Sequence, residues 1–176
     1  MRRADREIAD RKEIEDILRR STVCRLAMID AGRPYLVPLC FGYDAGVLYF
    51  HSAPVGKKID LLKKNRTVCF EFDADTIAVP ADTSCGWTMR YRSVIGYGIA
   101  GFVEDPGEKR AALDVIMRQY ADGAHEYSDE SLRKTAVIKV GIRKRSAGNG
   151  RTSARGPRVD QTHPDAPRHH CDRFGR

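Results

Sequence analysis

Along most of this chain apolar and polar residues alternate with a period of two, and helical spacing appears in only a few short stretches. Asp10, with Glu13 three residues on, has the spacing of a capping box, and Ile14, Ile17 and Leu18 then mark one helical face. A strand is expected over 22–29. The Ala31-Gly32-Arg33 turn leads into 34–41, where Tyr35, Val37, Leu39 and Phe41 alternate with other residues. Asp44-Ala45-Gly46 turns into a third strand over 47–52, so these three strands read as an antiparallel meander. A loop through Pro54 and Gly56 precedes a short helix over 57–64, carrying Ile59, Leu61 and Leu62. A strand over 67–73 follows, then an irregular edge over 76–86 interrupted by Pro80. A long, bent strand is expected over 89–104. Asp105-Pro106 is a cap followed by a proline at the first helical position, and that helix should reach about residue 120. Ser128 caps a short helix to 134, and a last strand runs over 136–142.

Hairpins dominate this order, and helices stand between strands at only a few points. The fold class is therefore mainly β: an antiparallel barrel with peripheral helices, not a doubly wound sheet. Beyond residue 142 the pattern stops. Val159 and Phe174 are the only large apolar residues in the last 34, apart from Cys171. Such a segment cannot bury enough surface to order itself, so residues 1–142 are read as the domain and 143–176 as a basic, disordered tail.

Charge changes the picture only at that tail. The net charge is +7, and nine Lys or Arg against three Asp in 143–176 supply +6 of it. The body is close to neutral, so a domain-wide nucleic-acid surface is not indicated. Nucleic-acid binding through the tail is a rival reading; with Phe174 as its single aromatic, the tail lacks a stacking platform. The start has no apolar run of a signal peptide, and no 18-residue apolar stretch exists, so a cytoplasmic, non-membrane protein is expected. Cys24, Cys40, Cys69, Cys85 and Cys171 form no CxxC pair and read as reduced, mostly buried thiols. No metal site is expected; His163, His169, His170 and Cys171 cluster only in the tail.

Candidate chemistry concentrates in Tyr49-Phe50-His51-Ser52-Ala53-Pro54-Val55-Gly56-Lys57-Lys58. A strand ends in His51 and Ser52, a glycine loop follows, and a helix opens on Lys57 and Lys58. A helix start offers free N–H groups and a positive dipole end, which suits a phosphate. Arg25, inside an apolar strand, either converges on the same anion or pairs with a carboxylate. In the long strand, Arg92, Val94, Gly96, Gly98 and Ala100 share one face, whose small residues allow either a ligand or a packed neighbour close to the backbone. Trp87 either stacks on a ligand or fills an interface. Gly96-Tyr97-Gly98-Ile99-Ala100-Gly101 spells G-x-G-x-x-G, but the strand pattern runs straight through it, so it is not a dinucleotide loop.

Residues 1–142 resemble the pyridoxamine 5′-phosphate oxidase-related flavoproteins, and within them the nitroimidazole-resistance (Nim-type) branch. The segments that carry the likeness are Met1-Arg2-Arg3 with Asp5-Arg6-Glu7, Cys24-Arg25-Leu26-Ala27, Pro34-Tyr35-Leu36-Val37-Pro38-Leu39, Leu48 to Ala53 with Gly56-Lys57-Lys58, Val68-Cys69-Phe70-Glu71, and Tyr91 to Gly98. The resemblance implies a six-stranded FMN-binding split barrel and a homodimer with the flavin at the subunit interface. It places Arg25, His51, Ser52, Lys57 and Lys58 at the phosphate end. It sets Ala27, Pro38 and Leu39 along the flavin, and Trp87 and Arg92 near the flavin or the partner subunit. The implied function is a flavin-dependent oxidoreductase acting on a small molecule, with nitro-aromatic reduction as one activity; a non-catalytic flavin-binding or sensing protein is the alternative. No catalytic side chain is assigned, and a deazaflavin or haem in place of FMN stays open. The tail has no counterpart in the family.

Overall fold

The computed structural model describes residues 6–150. The elements run β1 (Glu7–Ile8), α1 (Arg11–Arg20), β2 (Cys24–Asp30), β3 (Arg33–Leu39), β4 (Gly42–Asp44), β5 (Val47–Ser52), α2 (Lys57–Lys64), β6 (Thr67–Val79), β7 (Thr88–Val103), α3 (Pro106–Met117), α4 (Asp129–Arg133) and β8 (Ala136–Gly150). A 3₁₀ turn at Ser84–Gly86 lies between β6 and β7.

All pairings are antiparallel, in the order β3-β2-β6-β7-β8-β5-β4, with β1 added against β8. This is the expected β architecture with peripheral helices. The six longer strands are β2, β3, β5, β6, β7 and β8, and β1 and β4 are short additions. The barrel is split: β3 and β4 end the path, and no ladder joins them. The expected three-strand meander is not formed. β3 pairs with β2 alone, while β5 pairs with β8, because the chain bends at Cys40-Phe41 and drives the Phe41 ring into the core.

One core fills the interior. Ile14, Ile17 and Leu18 of α1 and Ile59, Leu61 and Leu62 of α2 pack with Leu26, Phe50, Phe70, Phe72, Val94 and Val140 of the strands. The Phe41 and Phe72 rings lie 4.7 Å apart. At one end α3 covers the outer side of the sheet through Ala112 and Leu113 against Tyr49, Val103 and Val137. That contact is close enough to require Gly42, where an added Cβ would fall 2.5 Å from the Val115 carbonyl oxygen.

Two strands outrun their expected ends. β6 continues to Val79 through a bulge, where Asp75 takes a positive φ of 56°. β8 continues to Gly150, although its polar, small-residue sequence lacks a strand pattern. It is held by ladders on both sides, Tyr91↔Gly150 through Tyr97↔Lys144 on β7 and Glu7↔Gly148 on β1. The domain therefore extends past 142, and the expected tail beyond 150 lies outside the described residues, as does Met1 to Asp5. G-x-G-x-x-G lies wholly within β7. At Gly98 an added Cβ would fall 2.5 Å from the Val140 side chain, so the small residue serves strand packing.

Candidate functional site

The corner after β5 is built by local rules. Gly56 has φ 122°, a conformation side-chain-bearing residues avoid, and this turns the loop directly into α2. The result is a helix start with no side-chain cap. The starts of α1, α3 and α4 are each closed by a side chain: Asp10 accepts from the Lys12 N–H, Asp105 from the Glu108 N–H and Ser128 from the Ser131 N–H. At α2 the first-turn N–H groups have no acceptor within the helix, and the dipole adds partial positive charge there.

The two lysines of this start differ. Lys57 Nζ lies 2.7 Å from Asp30 Oδ2 and 4.7 Å above the Tyr35 ring, so it is tied to the tip of the β2–β3 hairpin. The hydrogen bond to Asp30 raises its pKa. Lys58 is half-buried and has no side-chain partner among the described residues; burial lowers its pKa. His51 and Ser52 point to opposite sides of β5, His51 exposed and Ser52 half-buried. Ser52 likewise has no side-chain partner among the described residues.

The other expected site residues divide between two surfaces. Arg25 and Ala27 lie on the outer face of β2, Arg25 across from Pro38 of β3, which shares that face. Leu39 does not: one step along the strand turns it to the opposite side, against the core. Arg25 finds carboxylates. Its Nη1 lies 3.0 Å from Glu71 and 2.6 Å from Asp73, both on β6, and these hydrogen bonds raise its pKa. Its charge is thus already compensated. Arg92 sits at the far end of β7, in a cluster with α1. It reaches Asp75 at 2.5 Å, Asp16 at 3.5 Å and Glu13 at 3.9 Å, and Arg20 also bonds Asp75. Trp87 is exposed just before β7.

The family model for pyridoxamine 5′-phosphate oxidase matches residues 10–148. The chain belongs to the pyridoxamine 5′-phosphate oxidase family. Among solved structures it is similar to a candidate 5-nitroimidazole antibiotic resistance protein from Bacteroides thetaiotaomicron. The two share 38% identity over 81% of this chain and 86% of that one, with a TM-score of 0.74. This is the branch that the motifs indicate. The fold is also that of a FAD- and heme-binding protein from Mycobacterium smegmatis (20% identity, 81% and 72% covered, TM-score 0.74). A flavocytochrome from Azotobacter vinelandii is a third likeness (18% identity, 96% and 91% covered, TM-score 0.74). No curated protein matches the chain.

Within this family member, one feature of β7 escaped the sequence reading. The even positions are the packed ones. The odd positions Tyr91, Ile95, Tyr97 and Ile99, extended by Met89 and Trp87, form an apolar stripe between 36% and 57% exposed. Leu36 and Ile29 add to the same outer face from β3 and β2. The signal was available as strict alternation of large apolar residues from 95 to 99.

The four thiols among the described residues are free but not mostly buried: Cys24 is buried, Cys69 half-buried, and Cys40 and Cys85 exposed, while Cys171 lies outside the described residues. Among the described residues no helix is long and apolar enough to cross a membrane, and no group of three His, Cys, Asp or Glu side chains is placed to hold a metal.

Proposed function

We propose that this chain is an FMN-binding oxidoreductase, working as a homodimer, with the flavin phosphate at the start of α2. The supporting observation is that α2, unlike α1, α3 and α4, begins without a side-chain cap, beside Lys58, which is half-buried and has no side-chain partner among the described residues. A phosphomonoester with a second pKa of about 6 carries nearly two negative charges at neutral pH and fits that corner. Ser52 and His51 adjoin it in sequence and offer hydrogen bonds.

The outer face of β2, β3, β6 and the first half of β7, from Trp87 just before it to Tyr97, supports the dimer. A stable interface needs about 800 Å² from each partner, and contiguous apolar patches of this kind mark such surfaces. Ala27 and Pro38 lie on this face, so a flavin bordered by them would be covered by the second copy. The flavin carries the electrons, and the protein positions it. The likeness to a candidate 5-nitroimidazole resistance protein favours nitro-aromatic compounds as substrates.

The test is a spectrum followed by turnover. Purified protein mixed with FMN should retain the flavin bands through gel filtration, elute as a dimer, and oxidise NAD(P)H in the presence of a nitroimidazole. The double variant Lys57→Glu, Lys58→Glu should lose FMN. Unchanged FMN affinity in that variant would put the phosphate elsewhere. Flavin retention without turnover of any donor would leave a binding or sensing protein.

A further inference from the structure

A second groove lies on the outer side of the sheet, away from the start of α2. It occupies about 480 Å³ and crosses β5, β8 and β7 beside the β4–β5 turn. Its floor includes Gly101 and Gly141, on adjacent strands and offset by two residues in register, since Ile99 pairs with Gly141 and Gly101 with Lys139. A Cβ added at Gly141 would meet nothing within 4 Å, so open space stands over the backbone there. Ile99, Val47 and Ile142 supply an apolar rim.

The charges around this floor have one sign. Arg66, Lys139 and Arg143 line it, and no carboxylate does. Among the described residues the one acidic partner of any of them is Glu108, 3.5 Å from Lys139. This contrasts with Arg25 and Arg92, which both sit among carboxylates. Arg143 owes its position to a bulge: Tyr97 pairs with Lys144 and Gly98 with Ile142, leaving Arg143 as the extra residue of β8. Bulges re-aim side chains, and here one turns a cation toward the groove. Three like charges around an apolar, backbone-floored slot are stabilised by a bound anion.

We infer that this groove binds a small aromatic anion, a flat apolar body bearing a phosphate or carboxylate, independently of the flavin site. The flat body covers the glycine floor against Ile99, and the anion meets Arg66 and Arg143. Phenyl phosphate is the probe, titrated into the full chain and followed by amide NMR shifts of Ile99, Gly101 and Gly141. Saturable shifts there are expected, weakened at least tenfold in the Arg66→Glu, Arg143→Glu variant. Gly141→Ala places a Cβ in the open space over the floor and should weaken phenyl phosphate, while sparing the weaker binding of inorganic phosphate. The Lys57→Glu, Lys58→Glu variant should keep all of these shifts, which separates this groove from the flavin corner. Absence of saturable shifts at the three amides overturns the inference. So does their survival in the Arg66, Arg143 variant, or their loss in the Lys57, Lys58 variant. The two arginines are exposed and outside the core, so their replacement leaves the fold available for the measurement.

Discussion

Set the start of α2 beside the far end of β7. Both gather cations near a helix, Lys57 and Lys58 at the first, Arg20 and Arg92 with α1 at the second. At the second corner Asp16, Asp75 and Glu13 already surround the guanidinium groups, so every charge there is answered within the chain. At the first, Asp30 answers Lys57, but among the described residues no side chain answers Lys58 or caps the helix N–H groups. Residue type alone therefore does not mark an anion site. What marks it is a shortfall of internal carboxylates, at a place where burial makes the unpaired charge costly.

Reversing the charge at the open corner should give the largest effect. Lys58→Glu removes an unpartnered cation and adds an anion beside the helix start, so FMN affinity is expected to fall about a hundredfold, ~2.7 kcal/mol. Isothermal titration against FMN measures it. A loss under threefold would mean that Lys58 does not face the phosphate.

The closed corner should answer in stability instead. Arg92→Ala leaves Asp75 with Arg20 alone, and Asp16 and Glu13 are themselves well exposed. A loss of about 1 kcal/mol is expected after allowing for solvent screening. Urea unfolding would read it, with FMN affinity unchanged. A variant that binds FMN poorly while staying equally stable would move Arg92 into the flavin site.

How much of this contrast was legible beforehand depends on the range of the interactions. Caps act within three residues, so Asp10, Asp105 and Ser128 marked their helices correctly. β5 at Val47–Ser52 and α2 at Lys57–Lys64 fall where alternation and spacing put them. Side-chain period two located the packed row Val94, Gly96, Gly98 and Ala100 as one face. The partners of Arg25 lie 46 and 48 residues away on β6, and Asp75 lies 17 from Arg92 across a bulge. No local spacing announces such pairs. Strand order is equally non-local, which is why β3 and β5 looked paired and are not. The last eight residues of β8 carry no apolar pattern of their own, because β7 and β1 hold them through backbone hydrogen bonds.

The closed corner also predicts a pH dependence on the acid side. The Arg92 hydrogen bond holds the Asp75 carboxyl below its ordinary value, with Arg20 and Arg90 adding to the pull. A depressed carboxylate contributes stability that is present above its unfolded pKa of about 4 and is lost as pH falls through the folded value. Melting temperatures of the wild type and Asp75→Asn should therefore differ most near neutral pH and converge on acidification below about pH 4. A gap that persists undiminished in acid would mean that Asp75 acts through backbone geometry at its positive φ, not through its charge.

The smallest effect tests whether the open corner is as open as it can be. Lys57 is diverted: Asp30 holds its ammonium, and the Tyr35 ring lies beneath it. Asp30→Asn keeps the side-chain shape and removes the competing charge, so Lys57 becomes available to a ligand at the helix start. FMN affinity should rise about twofold, ~0.4 kcal/mol, because an exposed ion pair holds its partners only weakly. The comparison must be made at fixed ionic strength, since added salt screens both the Asp30 pair and the phosphate contact. If the variant instead binds FMN more weakly, Asp30 is holding Lys57 in the position the phosphate needs. The hairpin tip would then be part of the site, and the carboxylate would prepare the anion's place where its charge alone would oppose it.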